Sequence, residues 1–214
     1  MKLYTYWRSS AAYRLRIALN LKGIAFESVS VNLAPAVSEQ HSPAYAQINV
    51  EGRVPALEID GQTLTQSLAI LDYLEERYPD PPLLPTEPLA RARARALAQL
   101  VACDIHPLNN VAVLGYLKKE LGSDADAVNA WYQHWIHRGF APLESRLAAA
   151  GQPFCAGEQP GLADCVLVPQ VYNAVRFACD MAAYPTIRAI NERCLALPAF
   201  DAARPEVQPD ATPS

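Results

Sequence analysis

Five of the ten residues from Pro79 to Pro88 are prolines, and this segment constrains the fold more than any other part of the sequence. Proline lacks a backbone N–H and fixes φ, so a run of this density forms neither a helix interior nor a central strand. Short strand patterns precede the segment, whereas only helical periodicity follows it. The sequence therefore predicts a domain at residues 1–79 and a stiff linker at residues 80–88.

The first domain alternates strands and helices. Residues 26–31 alternate apolar and polar side chains, as half-buried strands do. Asp60-Gly61 is a strong signal for a type I′ turn between two strands. The predicted order is β-α-β followed by β-β-α, with strands at residues 1–6, 26–31, 54–59 and 62–64, and with helices that end before Gly23 and near Tyr78.

The remainder of the chain shows only helical patterns. Residues 89–200 predict an all-helical domain with helices over 89–121, 125–149, 162–181 and 185–196. Residues 201–214 contain three prolines and no periodicity, so we expect a frayed tail there.

Charge and cysteine content exclude several classes of function. The 214 residues carry a formal net charge of −4, which gives no basic surface for nucleic acid or anionic lipid. No apolar run approaches the roughly 18 residues of a membrane span, and the N-terminal strand lacks the apolar core of a signal peptide. The five cysteines form no Cys-x-x-Cys pair, which favours a reducing cytoplasm and no metal site.

Two consecutive hydroxyls, Ser9 and Ser10, lie at the predicted start of the first helix. Unpaired N–H groups and the helix dipole favour negative charge at this end, so the position suits a thiolate. Serine is also a preferred N-cap residue, and the local pattern alone favours simple capping.

Two further positions in the same domain suit a peptide ligand. Pro55 opens a strand and cannot donate to the sheet; with a cis bond, the Val54 backbone would face outward and pair with an extended peptide. A trans edge proline is the alternative. Gln66 and Ser67 stand at the second helix start, where a hydroxyl and free N–H groups suit a carboxylate. Together these features match a short peptide with a thiol and carboxylates, such as glutathione.

Residues 9–19, Ser-Ser-Ala-Ala-Tyr-Arg-Leu-Arg-Ile-Ala-Leu, resemble the signature of the zeta-class glutathione transferases. This family contains maleylacetoacetate isomerase and maleylpyruvate isomerase. The similarity continues through residues 20–23, 54–57, 66–67, 103–110, 162–165 and 208–210. It implies an α/β thioredoxin-like domain followed by an all-α domain, a homodimer, glutathione as cofactor and a small dicarboxylate substrate.

The resemblance also implies roles for individual residues. Ser9 and Ser10 would hold the glutathione thiolate, and Val54, before a cis Pro55, would pair with the cysteinyl backbone. Arg8 and Arg176 are our candidates for the substrate carboxylates, since a guanidinium matches a carboxylate. The other expected glutathione contacts are Gln66 and Ser67 at the γ-glutamyl end, Gln40 at the glycyl end, and His106 and Asn110 from the helical domain.

The family reaction is a cis-to-trans isomerisation of a maleyl dicarboxylate by thiolate addition, bond rotation and elimination. Ala11 replaces the family cysteine, so no role of that thiol carries over. Val111 and Ala112 replace the paired arginines of the maleylpyruvate branch, which favours maleylacetoacetate and leaves maleylpyruvate as the alternative. A general glutathione transferase acting on α-halo acids is a further alternative. A non-catalytic glutathione-binding protein is disfavoured, because the expected hydroxyls and the Pro55 edge are present.

Overall fold

The structure is a computed structural model that describes residues 1–212. The chain divides into two compact units. Met1–Leu83 form the first unit together with the residues from Leu195 onward, and Leu84–Cys194 form the second.

The first unit is built on a four-stranded sheet, with strands β1 (Lys2–Thr5), β2 (Glu27–Ser30), β3 (Ala56–Ile59) and β4 (Gln62–Thr65) in the order β2-β1-β3-β4. β1 pairs with β2 in parallel and with β3 antiparallel, and β3 pairs antiparallel with β4. Asp60 and Gly61 have φ values of 51° and 72°, as a type I′ turn requires. This mixed sheet, with the helices that accompany it, confirms the predicted thioredoxin-like fold.

Three helices accompany the sheet: α1 (Ser10–Leu21), α2 (Pro43–Ala46) and α3 (Ser67–Arg77), with a 3-10 turn at Glu39–His41. α1 packs against α3 and is buried on most of its surface, including Tyr13 and Ile17. Gly23 follows the α1 C-cap with φ +63°, a conformation that glycine adopts at little cost. The sheet and these helices thus bring the N-termini of α1 and α3 into one unit.

The second unit is helical, as the sequence predicts. Its elements are α4 (Pro88–Gln99), a π-helical turn (Leu100–Ile105), a 3-10 turn (His106–Asn109), α5 (Val111–Lys119), α6 (Ala125–Ala150), α7 (Leu162–Arg176) and α8 (Pro185–Leu195). α4 packs against α7. Gly139 lets the Ile105 side chain lie directly against α6, where a Cβ would collide with it. Within residues 1–212, no helix is both long and apolar enough to cross a membrane.

Two helix predictions in this unit were too long. The single helix expected over 89–121 is broken, because Pro107 has no N–H to continue the backbone ladder. The helix expected to reach 181 ends at Arg176, and Ala178 just beyond it has φ +53°. At the start of that helix the Asp164 carboxylate accepts the Gly161 N–H at 2.8 Å, so half of a capping box persists without a hydroxyl.

The C-terminal segment differs from the frayed tail that the sequence predicted. It forms α9 (Pro198–Asp201) and a 3-10 turn at Pro205–Val207. Asn20 and Arg16 of α1 donate hydrogen bonds to main-chain carbonyls in this segment. The correction applies to residues 201–212, since residues 213 and 214 lie outside the described part of the chain. Tertiary hydrogen bonds, which leave no periodic signal, hold this segment.

Candidate active site

Ser9 occupies the N-cap of α1, with extended backbone angles of φ −72° and ψ 115°. Its hydroxyl oxygen accepts the Ala12 N–H at 3.3 Å, so Ser9 caps the helix. A hydroxyl that accepts one hydrogen bond still has its own hydrogen to donate. Because Ser9 is only half-buried, capping the helix and donating to a ligand sulfur are compatible.

The turn between β1 and α1 places two more predicted residues beside Ser9. Ser10 is the first residue of α1 and is only 7% exposed. The Arg8 guanidinium carbon lies 4.1 Å from the centre of the Trp7 ring, in cation–π geometry. Arg8 Nε is buried and has no hydrogen-bond partner within the described residues. The residue that precedes Ser9 therefore carries a cation with an unused donor.

Val54 lies just before β3, and its peptide bond to Pro55 is cis. No hydrogen bond involves the Val54 N–H or C=O within residues 1–212. The preceding carbonyl, of Arg53, accepts the Tyr45 hydroxyl at 2.7 Å and the Asn49 amide at 2.8 Å. Burial raises the pKa of Tyr45 to about 12, so this phenol stays protonated and keeps donating. The Val54 segment is thus held rigidly while its own backbone groups remain available.

The start of α3 forms the second predicted anion site. Ser67 is 8% exposed, and its hydroxyl accepts a hydrogen bond from the buried Arg14 guanidinium at 3.0 Å. Gln66 has φ +66°, which is unusual for a residue other than glycine and marks a constrained backbone. Its side-chain amide donates to the Glu51 carboxylate at 2.6 Å. The positive end of a helix, a serine and a guanidinium therefore converge at one point.

Gln40 lies in the 3-10 turn before α2 and is half-buried. Its Oε1 atom is buried without a hydrogen-bond partner in the described part of the chain. Gly52 has φ +60°, and a Cβ there would lie 3.2 Å from the Gln40 carbonyl, so both the backbone angle and this close approach favour glycine.

The other three predicted residues belong to the second unit. His106 begins a 3-10 turn and is half-buried. Asn110 caps α5, and its side-chain oxygen accepts the Ala112 N–H at 3.2 Å. Arg176 ends α7 as an exposed residue, with its guanidinium carbon 4.9 Å from the centre of the Phe177 ring. The roles of these three residues stay predictions.

Seven of the ten predicted residues therefore share the first unit, and contacts connect some of them. Arg14 joins α1 to the start of α3 through Ser67. Tyr6, whose carbonyl accepts the Ser9 N–H at 2.9 Å, packs against the apolar cluster that contains Val54. Two helix N-termini and a free stretch of backbone thus lie in one small domain, which suits an extended peptide with anionic groups.

Comparisons with known proteins place the chain in a family. The glutathione S-transferase N-terminal domain matches residues 1–76, and the C-terminal domain matches residues 125–202. Maleylacetoacetate isomerase of Pseudomonas aeruginosa is 50% identical over 211 residues, covering 98% of each chain. The chain belongs to the zeta-class glutathione transferase family. Within that family, the solved structure of a zeta-class maleylpyruvate isomerase superimposes with a TM-score of 0.96 at 48% identity, over 99% of this chain and 100% of the other. A maleylacetoacetate isomerase of Methylobacterium extorquens AM1, solved with malonate and glutathione, has a TM-score of 0.95 at 47% identity over the full length of both chains.

Three residues around the site were not assigned to it from the sequence. The Arg14 guanidinium donates a hydrogen bond to the Ser67 hydroxyl. Glu51 receives the Gln66 amide, and Asp210 accepts the Trp7 N–H. A local signal existed for Asp210, because residues 208–210 match the family pattern. For Arg14 and Glu51 no sequence pattern indicated the contact.

Proposed function

We propose that this protein is a glutathione-dependent cis–trans isomerase of a maleyl dicarboxylate, with maleylacetoacetate as the first-choice substrate. The observation that carries the proposal is the pair of helix N-termini, at Ser9 and Ser67, in a domain that also leaves the Val54 backbone unpaired. Such an arrangement suits a peptide with a thiolate at one point and a carboxylate at another. The membership of this protein in the zeta-class glutathione transferase family supports the same function.

The residues of the first unit suit glutathione. Val54 offers an N–H and a C=O to an extended backbone. Ser67, with the Arg14 guanidinium behind it, and Gln66 offer donors to the γ-glutamyl carboxylate. Gln40 has an unpaired amide oxygen that can accept the N–H of the glycyl residue at the opposite end of the tripeptide. Bound glutathione supplies a thiolate that adds to the maleyl double bond and leaves after the bond has rotated.

Ser9 is the residue that we assign to thiolate stabilisation. A free thiol has a pKa of about 8.5, and lowering it by about two units requires roughly 2.7 kcal/mol. A hydrogen bond to a charged group contributes about 1.5–3 kcal/mol, and a helix N-terminus adds about 0.3–1 kcal/mol. One Ser9 hydroxyl and the N-terminus of α1 together contribute about 1.8–4 kcal/mol, a range that contains the required value. We assign Ser10 to the support of the sulfur or of a substrate oxygen.

Arg8 and Arg176 are the proposed partners of the substrate carboxylates. Arg8 is held against the Trp7 ring, which orients its guanidinium while Nε remains unpaired. Arg176 is exposed at the end of α7, so its guanidinium is accessible to an anion. His106 and Asn110 are proposed as glutathione contacts only.

Maleylacetoacetate is preferred over maleylpyruvate because of two residues at the start of α5. Val111 is 68% exposed, and Ala112 follows it. Neither side chain offers a charge to a second carboxylate, whereas the maleylpyruvate branch has arginines there. The identities of 50% and 48% to relatives of the two kinds do not separate the alternatives.

We further propose that the protein is a homodimer in the cytoplasm. All five cysteines are free thiols, and four of them are buried, which fits a reducing compartment. The proposed dimer is tested by light scattering coupled to gel filtration, which yields the molar mass directly.

The function is tested by assaying both maleyl substrates with and without glutathione. We expect isomerisation that requires glutathione, does not consume it, and has the higher kcat/KM for maleylacetoacetate. A higher kcat/KM for maleylpyruvate would overturn the substrate choice. Turnover of α-halo acids without isomerisation would instead identify a general transferase.

A further inference from the structure

The C-terminal segment runs along α1 and is bonded to it at two points. Asn20 donates to the Ala199 carbonyl at 2.9 Å, and Arg16 Nε donates to the Ala203 carbonyl at 3.1 Å. Arg16 is 1% exposed, so the second contact is fully buried. The segment is therefore part of the first unit and not a free extension.

Asp210, near the end of the described chain, contacts the turn that holds the proposed catalytic residues. Its Oδ2 atom accepts the Trp7 N–H and the Ser30 hydroxyl, each at 3.0 Å. Trp7 lies two residues before Ser9 and is 4% exposed. Without Asp210, this backbone donor would lose the acceptor that the structure gives it, and a buried unpaired N–H is costly.

Trp7 is the residue through which this contact reaches the site. Its carbonyl accepts Arg16 Nη2 at 3.0 Å, so both sides of its backbone are held. Its ring carries the Arg8 guanidinium at 4.1 Å. The Tyr6 carbonyl just before it accepts the Ser9 N–H at 2.9 Å. A shift of Trp7 would therefore move Arg8 and Ser9 together.

We infer that Asp210 is a positioning residue of the active site: by holding the Trp7 N–H, it fixes the turn that presents Arg8 and Ser9. The inference rests on the proposed function. The sign of the charge supports positioning over a direct electrostatic role. The negative charge of Asp210 would disfavour a thiolate nearby. A direct electrostatic role at this position would therefore call for a neutral or basic side chain.

The inference is tested with two Asp210 variants and a matched control. Asp210→Ala removes the acceptor, and misplacement of catalytic groups by about 1 Å costs up to about a hundred-fold in rate. We expect kcat/KM to fall by about ten- to a hundred-fold, with a raised KM for glutathione. Asp210→Asn keeps an acceptor oxygen and removes the charge, so it should stay within about three-fold of wild type. Glu206→Ala removes an exposed carboxylate from the same segment and should leave activity unchanged.

Hydrogen exchange of the Trp7 amide gives a second measurement that does not depend on turnover. We expect faster exchange of this amide in Asp210→Ala than in wild type or Glu206→Ala, measured at a temperature at which all three proteins stay folded. If Asp210→Ala does not fold, Asp210→Glu, which moves the carboxylate by one methylene, replaces it.

The possible failures are distinguishable. An active wild type whose Asp210→Ala variant has unchanged kinetics would overturn the inference alone. An Asp210→Asn variant as impaired as Asp210→Ala would also overturn it, because the acceptor is retained. A wild type without isomerase activity would overturn the proposed function; glutathione affinity, by calorimetry, would then decide the inference. Equal affinity in wild type and Asp210→Ala, or no binding by either, would overturn it.

Discussion

Lys22 and Glu75 form a buried ion pair whose loss should destabilise the whole first unit. Lys22 Nζ lies 2.9 Å from Glu75 Oε2, and the two side chains are 0% and 4% exposed. Nζ also donates to the Tyr78 and Pro81 carbonyls at 2.6 and 2.9 Å. Lys22→Met would leave the buried carboxylate without the Lys22 charge, although the Leu83 N–H still donates to it at 2.9 Å. Breaking a buried ion pair in this way costs about 3–5 kcal/mol. At about 2–4 °C per kcal/mol for a chain of this size, the melting temperature should fall by roughly 6–20 °C.

The assay is urea unfolding followed by circular dichroism, with two comparisons. Lys22→Met/Glu75→Gln also replaces the carboxylate with a neutral acceptor and should recover part of the loss. Lys2→Met breaks the exposed pair with Glu58, 3.3 Å apart, and should be indistinguishable from wild type. The reasoning is refuted if Lys22→Met lies within about 1 kcal/mol of wild type, or if the double variant is no more stable than the single one. Because the Lys22–Glu75 pair joins the end of α1 to α3, Lys22→Met should also weaken glutathione binding.

Three further predictions concern ligand binding, thiol reactivity and the second unit. Ser67→Ala removes one acceptor of the Arg14 guanidinium and the hydroxyl proposed to bind the γ-glutamyl carboxylate, so KM for glutathione should rise about ten-fold or more with little change in kcat; an unchanged KM would exclude Ser67 from the site. In the native protein, one thiol should react fast with a disulfide reagent at pH 8, that of the exposed Cys103, because the other four cysteines are buried. Burial also raises the pKa of Cys179 to about 11, which slows its reaction further. A fast phase that survives Cys103→Ser would contradict this. Asp164→Ala removes the acceptor of the Cys155 and Gly161 N–H groups. The free energy of unfolding in urea should fall by about 2–6 kcal/mol, from about 1–3 for each donor; a loss below about 1 kcal/mol would contradict this role of Asp164.

The fold was predictable where residues close in sequence determine it. Gly23 after a helical stripe marks the end of α1, and Asp60-Gly61 marks the hairpin. The break between α4 and α5 was missed although Pro107 was visible, because apolar periodicity continues on both sides of it. Periodicity reports which face is buried, but it does not report whether the backbone ladder is unbroken.

The site was predictable only in part, for a related reason. A serine at a helix start follows from the local sequence, so Ser9 and Ser67 could be identified as candidates. The contact from Asp210 to Trp7 spans 203 positions, and the one from Arg14 to Ser67 spans 53. No pattern within a short window encodes such pairs. The segment after residue 200 therefore resembled a free tail, although its hydrogen bonds to α1 and the β1–α1 turn are tertiary contacts.

The central claim is that the Ser9 hydroxyl and the N-terminus of α1 keep a bound thiol ionised at neutral pH. The most direct test is a pH titration of the thiolate absorbance of glutathione bound to the protein, in wild type and in Ser9→Gly. Glycine caps a helix within a few tenths of a kcal/mol of serine, so the variant removes the donor while nearly preserving α1. We predict a pKa about two units below the free value of about 8.5 in wild type, and a value about one to two units higher in Ser9→Gly. A bound thiol that titrates like free glutathione in wild type, or identically in both proteins, would contradict the claim.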